Sequence, residues 1–429
     1  MSGQEHEFLI VGSGAGGATL ARELARRGKE VIVLERGRHE TKIGTFQDSL
    51  RYFDGNKLTR TPRKSKEGTI LWRAFMAGGT TVVSDGNQLP CLQQELAEQG
   101  IALEAELDEA SKEMGVAPID ESLLGERSQR ISKAAADLGY RMGRMPKAID
   151  AEKCRKCQNC PMGCPFDAKW TALDHLQEAV EQGAEPVYGT RALEVLVRNG
   201  KVTGIRAAGP NGPREFAART VILAAGGMST PVLLQRAGIA DAGQQFFVDL
   251  YVNTVGVVDG VIRSPEPLMA LVDDEFHKSE GFVLSTYVPV HKLISFIEFG
   301  AKGLSLPRNR LIGLMTKTAD EPDGRVYPDG KISKPVTDRD WARLEKGSRI
   351  SAEILVQAGA DPKSVVTSKP QGAHPGGTAA IGTVVDKDLQ TEIDNLFVCD
   401  ASVLPKAPGL PPILSIVALA KRLAKTLAG

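Results

Sequence analysis

Residues Glu7 to Gly37, EFLIVGSGAGGATLARELARRGKEVIVLERG, constrain the fold of this chain more than any other stretch. Phe8 to Val11 is a short apolar run that stops at Gly12-Ser13-Gly14-Ala15-Gly16-Gly17, and the helical segment after it puts Leu20, Leu24 and neighbouring alanines on one face. The spacing is GxGxxG, set between a strand and a helix. Gly12 permits the tight turn, Gly14 lets the backbone approach a pyrophosphate, and Gly17 lets the helix lie close on the strand. The anion then rests at the helix N-terminus, where unpaired N–H groups and the helix dipole favour negative charge. Val31 to Leu34 is the second strand and Glu35 closes it. A carboxylate there accepts hydrogen bonds from both hydroxyls of an adenosine ribose and repels a 2′-phosphate.

The rest of the chain must build around such a unit. Its 429 residues suggest two or three domains, and 42% hydrophobic content is enough for ordinary cores. With 53 basic against 53 acidic residues, a nucleic-acid binder or an anionic-membrane binder is not expected. No apolar run reaches the roughly 18 residues of a spanning helix, so no transmembrane segment is expected. The first strand starts near residue 7, so no signal peptide or twin-arginine leader is expected. The expected location is cytoplasmic, with peripheral association through a partner left open.

After Gly37 a polar stretch rich in Lys and Arg runs to Glu67 and reads as an excursion over the surface. Ala77-Gly78-Gly79-Thr80-Thr81 then offers backbone N–H groups and hydroxyls to a phosphate or a flavin edge, or is an ordinary turn. Helical segments follow at Leu92 to Glu98 and Arg127 to Leu138. Four of the six cysteines come next within eleven residues, as Cys154-Arg-Lys-Cys157-Gln-Asn-Cys160-Pro-Met-Gly-Cys164-Pro165. CxxCxxCxxxCP is the spacing of bacterial-type ferredoxins and suits an iron–sulfur cluster, here a [4Fe-4S] cluster. A structural zinc, a disulfide framework and free thiols are the alternatives. Disulfides are disfavoured without export, and zinc sites usually split their ligands into two separated pairs. The fourth ligand is either Cys164 or a distant thiol, with Cys91 the candidate. Lys153, Arg155, Lys156 and Lys169 flank the run. They either offset cluster charge or form a docking face for an acidic carrier such as a ferredoxin.

Trp170 to Glu181 reads as a helix, and residues 186 to 224 as short strands ending in a buried strand, a glycine turn at Gly226-Gly227 and a helix. Residues 240 to 370 differ in texture, with alternating strands at Tyr251 to Val258, Phe282 to Val288 and Leu311 to Thr316 and a long helix at Trp341 to Ala358. They suggest a separate α+β layer serving as the wall of a substrate pocket. Asn395 to Ser402 is a strand with a polar end, and Pro412 opens a last helix, where Lys421, Arg422 and Lys425 suit the C-terminal dipole.

Four segments together resemble the glucose-methanol-choline (GMC) oxidoreductase family: GSGAGG with Glu35, AGGTT at 77 to 81, GGMSTPVLLQRAGI at 226 to 239, and His374-Pro-Gly-Gly-Thr378 followed by NLFVCDASVLP and the last helix. The resemblance implies an α/β fold: a Rossmann-like FAD-binding domain of residues 1–239 and 371–429, carrying an iron–sulfur insert at about 150–170. The α+β substrate domain of 240–370 would be built on an antiparallel sheet. It implies oxidation of an alcohol CH–OH to a carbonyl with hydride passed to flavin N5. Carried over by position, Gly12, Gly14, Gly17 and Glu35 would hold the ADP half, and Gly79 and Thr80 would lie near the pyrophosphate or flavin. Asp400 and Ser402 would lie near the ribityl chain and ring, and the helix opened by Pro412 would point its positive end at the flavin. His374 takes the place of the active-site histidine.

Three departures accompany the resemblance. Pro411 stands where the family usually carries a second active-site His or Asn, and a proline side chain can neither donate nor accept. The asparagine often found after the GGT turn is replaced around Ser84, with Asn87 a possible substitute. The chain is also short for the family and carries the cysteine run. The expected activity is therefore an FAD and iron–sulfur dehydrogenase for a small alcohol-type substrate, delivering electrons to an external carrier such as a ferredoxin or to a partner subunit. A reductase working in the opposite direction on C=O or C=C, or an electron-transfer subunit, is the alternative.

Overall fold

The apolar run after Glu7 becomes the strand His6–Val11, which takes Val31–Leu34 on one side and Gly212–Leu223 on the other, all parallel. Glu185–Val187 and Leu396–Val398 extend this layer in the same sense. The first half of Gly212–Leu223 leaves the parallel layer and pairs antiparallel with Lys201–Gly209, which pairs with Arg191–Arg198 to complete a seven-stranded sheet. These facts come from a computed structural model that describes residues 5–56, 61–262 and 265–429. Helix Ala15–Arg26 is buried over most of its length between the helices Ala172–Glu181 and Ile413–Ala428.

The second sheet has ten strands and is mostly antiparallel. Leu250–Val257 and Leu311–Thr318 are its centre, with Tyr251 opposite Lys317 and Asn253 opposite Met315. Phe282–Thr286 and Leu271–Asp273 continue the sheet on one side, and Gln371–Gly372 with Ile70–Leu71 on the other. Helix Asp338–Gln357 lies across the face of the two central strands. It starts a turn earlier than its apolar period suggests, because Thr337 and Asp340 close a capping box. The fold is thus the mixed α/β arrangement expected, with one parallel-centred and one antiparallel sheet.

The polar stretch to Glu67 is not a free excursion. Thr61–Lys64 pairs with Ile70–Leu71 in the large sheet, Tyr52 is almost fully buried, and Arg63 reaches the main cavity. Its Lys57–Arg60 portion lies outside the described residues. Among the described residues, no helix is long and apolar enough to cross a membrane.

Candidate active site

Between the two sheets lies a cavity of about 560 Å³ that runs from Gly12–Gly16 and Glu35 to His374 and the first turn of the last helix. A Cβ on Gly17 would meet the Gly12 carbonyl oxygen at 2.0 Å, whereas one on Gly14 would meet nothing within 4 Å. Gly17 therefore holds the helix against the turn, and Gly14 faces open space. The helix Ala15–Arg26 has no side-chain cap, nor has Ile413–Ala428, and both N-termini open on the cavity. Uncapped N–H groups at two helix ends suit a ligand carrying negative charge at two places. On these observations a flavin dinucleotide fits the residues present.

Glu35 departs from the simple expectation. Its Oε2 accepts from Ser13 N at 3.0 Å and Ser13 Oγ at 2.7 Å, and its Oε1 accepts from Gly37 N at 2.6 Å. It lines the cavity, but first of all it braces the glycine turn. Gly79 begins a short 3-10 turn, Gly79–Val83, and Thr80 faces the cavity beside it. Asp400 accepts from Gly226 N at 2.8 Å and Thr230 Oγ1 at 2.6 Å, and from Ser402 N and Oγ. Asp400 reaches the cavity; Ser402 is fully buried behind it and braces it. Pro411 and Pro412 both line the cavity.

His374 also lines it, and its Nδ1 lies 2.8 Å from Asp249 Oδ2. Asp249 is fully buried, and its Oδ1 accepts from Gly409 N at 2.8 Å. Burial, with the charge of Lys317 acting in the same direction, holds His374 well below the usual histidine range. Its ring is therefore neutral at physiological pH. With Nδ1–H donated to the carboxylate, Nε2 is left free to take a proton. Burial pushes Asp249 up to about 7, against the opposing pull of Lys317 and the Gly409 N–H.

The large sheet contributes the remaining wall. Tyr251, Met315 and Lys317 point into the cavity from its central strands, and Tyr287 and Glu298 join them. Glu298 is buried; its Oε1 accepts from Tyr287 OH at 2.7 Å and Asn253 Nδ2 at 3.2 Å, and the Gln371 side chain lies beside the carboxylate. Burial pushes its carboxyl up to about 7. Asp249, Lys317 and Glu298 escaped the sequence reading, yet each is a lone charge in an apolar run: FFVDLYV, LIGLMTKT and LISFIEF. A charge at a core position is the signal that could have found them.

The four cysteines Cys154, Cys157, Cys160 and Cys164 line one second, small cavity. Cys91 is elsewhere, buried against Ser415 of the last helix, so Cys164 is the thiol that stands with the other three. Lys156 and Gln158 take left-handed backbone conformations, at φ 53° and 65°, which wrap the loop around the cavity. The Lys156 N–H donates toward the Cys154 sulfur, and burial pushes the Cys160 thiol up to about 12. Among the described residues, no group of three or more His, Cys, Asp or Glu side chains is placed to hold a metal ion. The turn Cys160–Met162 separates the two cavities: Cys160 lines the small one, and Pro161 and Met162 line the large one. Lys169 does not sit on a docking face. It is buried, and its Nζ donates to the carbonyls of Val82 at 2.9 Å, Ser84 and Cys160 at 3.3 Å. Lys153 and Arg155 are the flanking cations that remain exposed.

Residues 6–256 match one GMC oxidoreductase family profile and residues 315–420 a second. The chain belongs to the GMC oxidoreductase family. As a GMC oxidoreductase it is an FAD-dependent enzyme of the class acting on CH–OH donors. An uncharacterized GMC-type oxidoreductase of Mycobacterium tuberculosis is 30% identical, over 96% of this chain and 74% of its own length. An uncharacterized protein of Methanocaldococcus jannaschii is 29% identical, over 97% of this chain and 98% of its own. A long-chain-alcohol oxidase of Arabidopsis thaliana is 25% identical, over 96% of this chain and 66% of its own. Among solved structures, a pyridoxine 4-oxidase from Mesorbium loti superposes with a TM-score of 0.76 at 16% identity, covering 98% of this GMC chain and 99% of that one. At that identity the likeness speaks for the fold.

Proposed function

We propose that this GMC enzyme is a dehydrogenase for a polar alcohol, with His374 as its base and a [4Fe-4S] cluster on Cys154, Cys157, Cys160 and Cys164 as the outlet to an external one-electron carrier, such as a ferredoxin or a partner subunit. The observation that carries this reading is the shared wall: the cavity holding His374 and the cysteine cavity are separated by the single turn Cys160–Met162. When bound, FAD supplies a two-electron acceptor and the cluster a one-electron relay.

In this reading Gly12, Gly14, Gly17, Gly79 and Thr80 receive the dinucleotide, and Glu35 holds the turn while presenting its remaining lone pairs to a ribose. Asp400, Ser402 and the helix at Pro412 shape the flavin end. His374 Nε2 takes the hydroxyl proton, and Asp249 keeps the ring in the tautomer that leaves Nε2 free. Residues 240–370 form the substrate unit, since Tyr251, Tyr287, Glu298 and Lys317 all come from it; 1–239 and 371–429 form the nucleotide-binding unit. A polar substrate is favoured over a long alkyl chain, because such a chain would cover the Lys317 ammonium without satisfying it. Four thiols round one cavity, an N–H aimed at sulfur and buried Lys147 and Lys169 nearby suit a polynuclear thiolate cluster.

Anaerobic addition of a panel of alcohols, polyols and hydroxy acids tests the reaction. Small hydroxylated members should bleach the flavin and long alkyl alcohols should not; bleaching by none of them, or by long alcohols alone, sinks the assignment.

A further inference from the structure

Lys317 is the side chain whose chemistry remains unused. It sits on the central strand Leu311–Thr318 of the large sheet, directly opposite Tyr251, and points into the same cavity as His374. It is only 4% exposed, yet among the described residues its ammonium makes neither a hydrogen bond nor an ion-pair contact. A buried ammonium without partners is costly unless something in the cavity receives its protons. Pro411 lines this cavity too and offers no polar side chain.

We propose that Lys317 is the second catalytic residue of this site, donating a hydrogen bond from Nζ to the substrate oxygen while His374 Nε2 removes that oxygen's proton. The inference rests on the alcohol-oxidising reading above. The balance is simple: the O–H proton goes to His374, the C–H bond leaves as hydride with its electron pair to the bound acceptor, and the C=O bond forms. Lys317 is not consumed; its charge stabilises the alkoxide character that develops on oxygen, as preorganised donors do in other sites. Strand alternation fixes its aim, because Met315 and Lys317 share one face and both reach the cavity.

The charges facing Lys317 are Asp249 and Asp85, with the Cys91 thiol beyond. His374, Tyr251 and Glu298 share the cavity. Burial lowers the Lys317 ammonium to about 8, against the pull of Asp249. The donor is therefore present below pH about 8 and lost above it. Asp249 and Glu298 change charge near 7, Cys91 only near 12, and Tyr251 and Tyr287 well above the usual tyrosine range, so of the groups facing the cavity Lys317 is the one that changes charge on the alkaline side of 8.

Acetate, an anionic oxygen probe, and acetamide, its neutral counterpart, test this without knowledge of the substrate. Their binding to the FAD-loaded protein is read from the visible flavin spectrum. Wild-type acetate affinity should fall about tenfold per pH unit above about 8. Lys317→Met should bind acetate at least about tenfold more weakly with no alkaline limb, and acetamide as wild type does. Lys317→Arg should keep acetate binding and lose the limb, since guanidinium stays charged. With a bleaching alcohol, Lys317→Met should slow flavin reduction by about 10²- to 10³-fold with little change in KM. Acetate binding with an unchanged limb in either variant overturns the proposal. If no alcohol bleaches the flavin while acetate behaves as expected, the reaction reading falls and Lys317 stands as an anion-binding group. Bleaching with acetate indifferent to Lys317 removes Lys317 alone.

Discussion

Asp249 carries an unusual backbone, at φ 49°, and spends both carboxylate oxygens on holding other groups: the Gly409 N–H and the His374 ring. Asparagine tolerates the left-handed region at least as well as aspartate, so Asp249→Asn removes the charge and leaves the turn. It should slow flavin reduction by orders of magnitude while FAD content stays at wild type, because an amide selects the wrong imidazole tautomer. His374→Ala should cost about 10² to 10⁴ in the same half-reaction. Wild-type rates in either variant, measured by anaerobic stopped flow, would place the base elsewhere. His374, which lines the cavity, was a candidate from the sequence through its HxxGT place and its glycine-rich turn. Its partners were not, since Asp249 and Lys317 lie 125 and 57 positions before it. Only the register of the large sheet brings Lys317 opposite Tyr251 and into the cavity.

At the scale of elements, the strand, turn and helix of Phe8 to Leu34 were fully readable, since their signal is local. The last helix was readable too, but the use of its cations was not. Lys421 was expected to serve the helix C-terminus; instead it is almost fully buried and pairs with Glu23 at 3.2 Å and with Glu109 and Glu113 at 2.9 Å. Arg22 adds a second buried cation, 2.8 Å from Glu23 and 2.6 Å from Glu113. This network clamps Ile413–Ala428 to the dinucleotide helix, and helix-to-helix pairing of that kind leaves no periodic trace in sequence. Lys421→Met should destabilise the protein by about 1–3 kcal/mol in a denaturant titration, because buried Glu23 loses one charged hydrogen-bond donor while Arg22 and Arg27 remain on it; an unchanged midpoint would show the clamp to be idle. Burial works to raise the Glu23 pKa, but the Arg27 hydrogen bond and the charges of Lys421 and Arg22 outweigh it and hold it at about 2. A carboxylate depressed in this way stabilises the fold fully above its unfolded value of about 4.5 and loses that contribution as pH falls toward 2. In Lys421→Met the folded-state value of Glu23 rises, so the acid loss still begins near 4.5 but is smaller and complete at a higher pH, as thermal melts across that range would record.

For the whole molecule, the arrangement puts substrate wall, dinucleotide turn and cysteine loop around one pair of adjacent cavities. Lys169 ties them, reaching from the cysteine loop at Cys160 to the strand of backbone at Val82 and Ser84 that borders the larger cavity. The Tyr52 hydroxyl donates to the Met162 carbonyl at 2.6 Å and fixes the separating turn from the other side. The cysteine spacing was visible from the start; that the loop abuts the main cavity depends on contacts 85 to 110 residues apart. The claim on which the account turns is that the cysteine cavity holds a cluster beside the flavin. Iron, acid-labile sulfide and FAD should be quantified in anaerobically purified protein, with EPR after dithionite reduction, for wild type and Cys157→Ser. The account predicts about four iron and four sulfide per FAD in wild type, and in Cys157→Ser a lost or altered cluster signal with FAD retained. Wild-type protein that carries FAD but neither iron nor sulfide, or that carries zinc at the four cysteines, would contradict it.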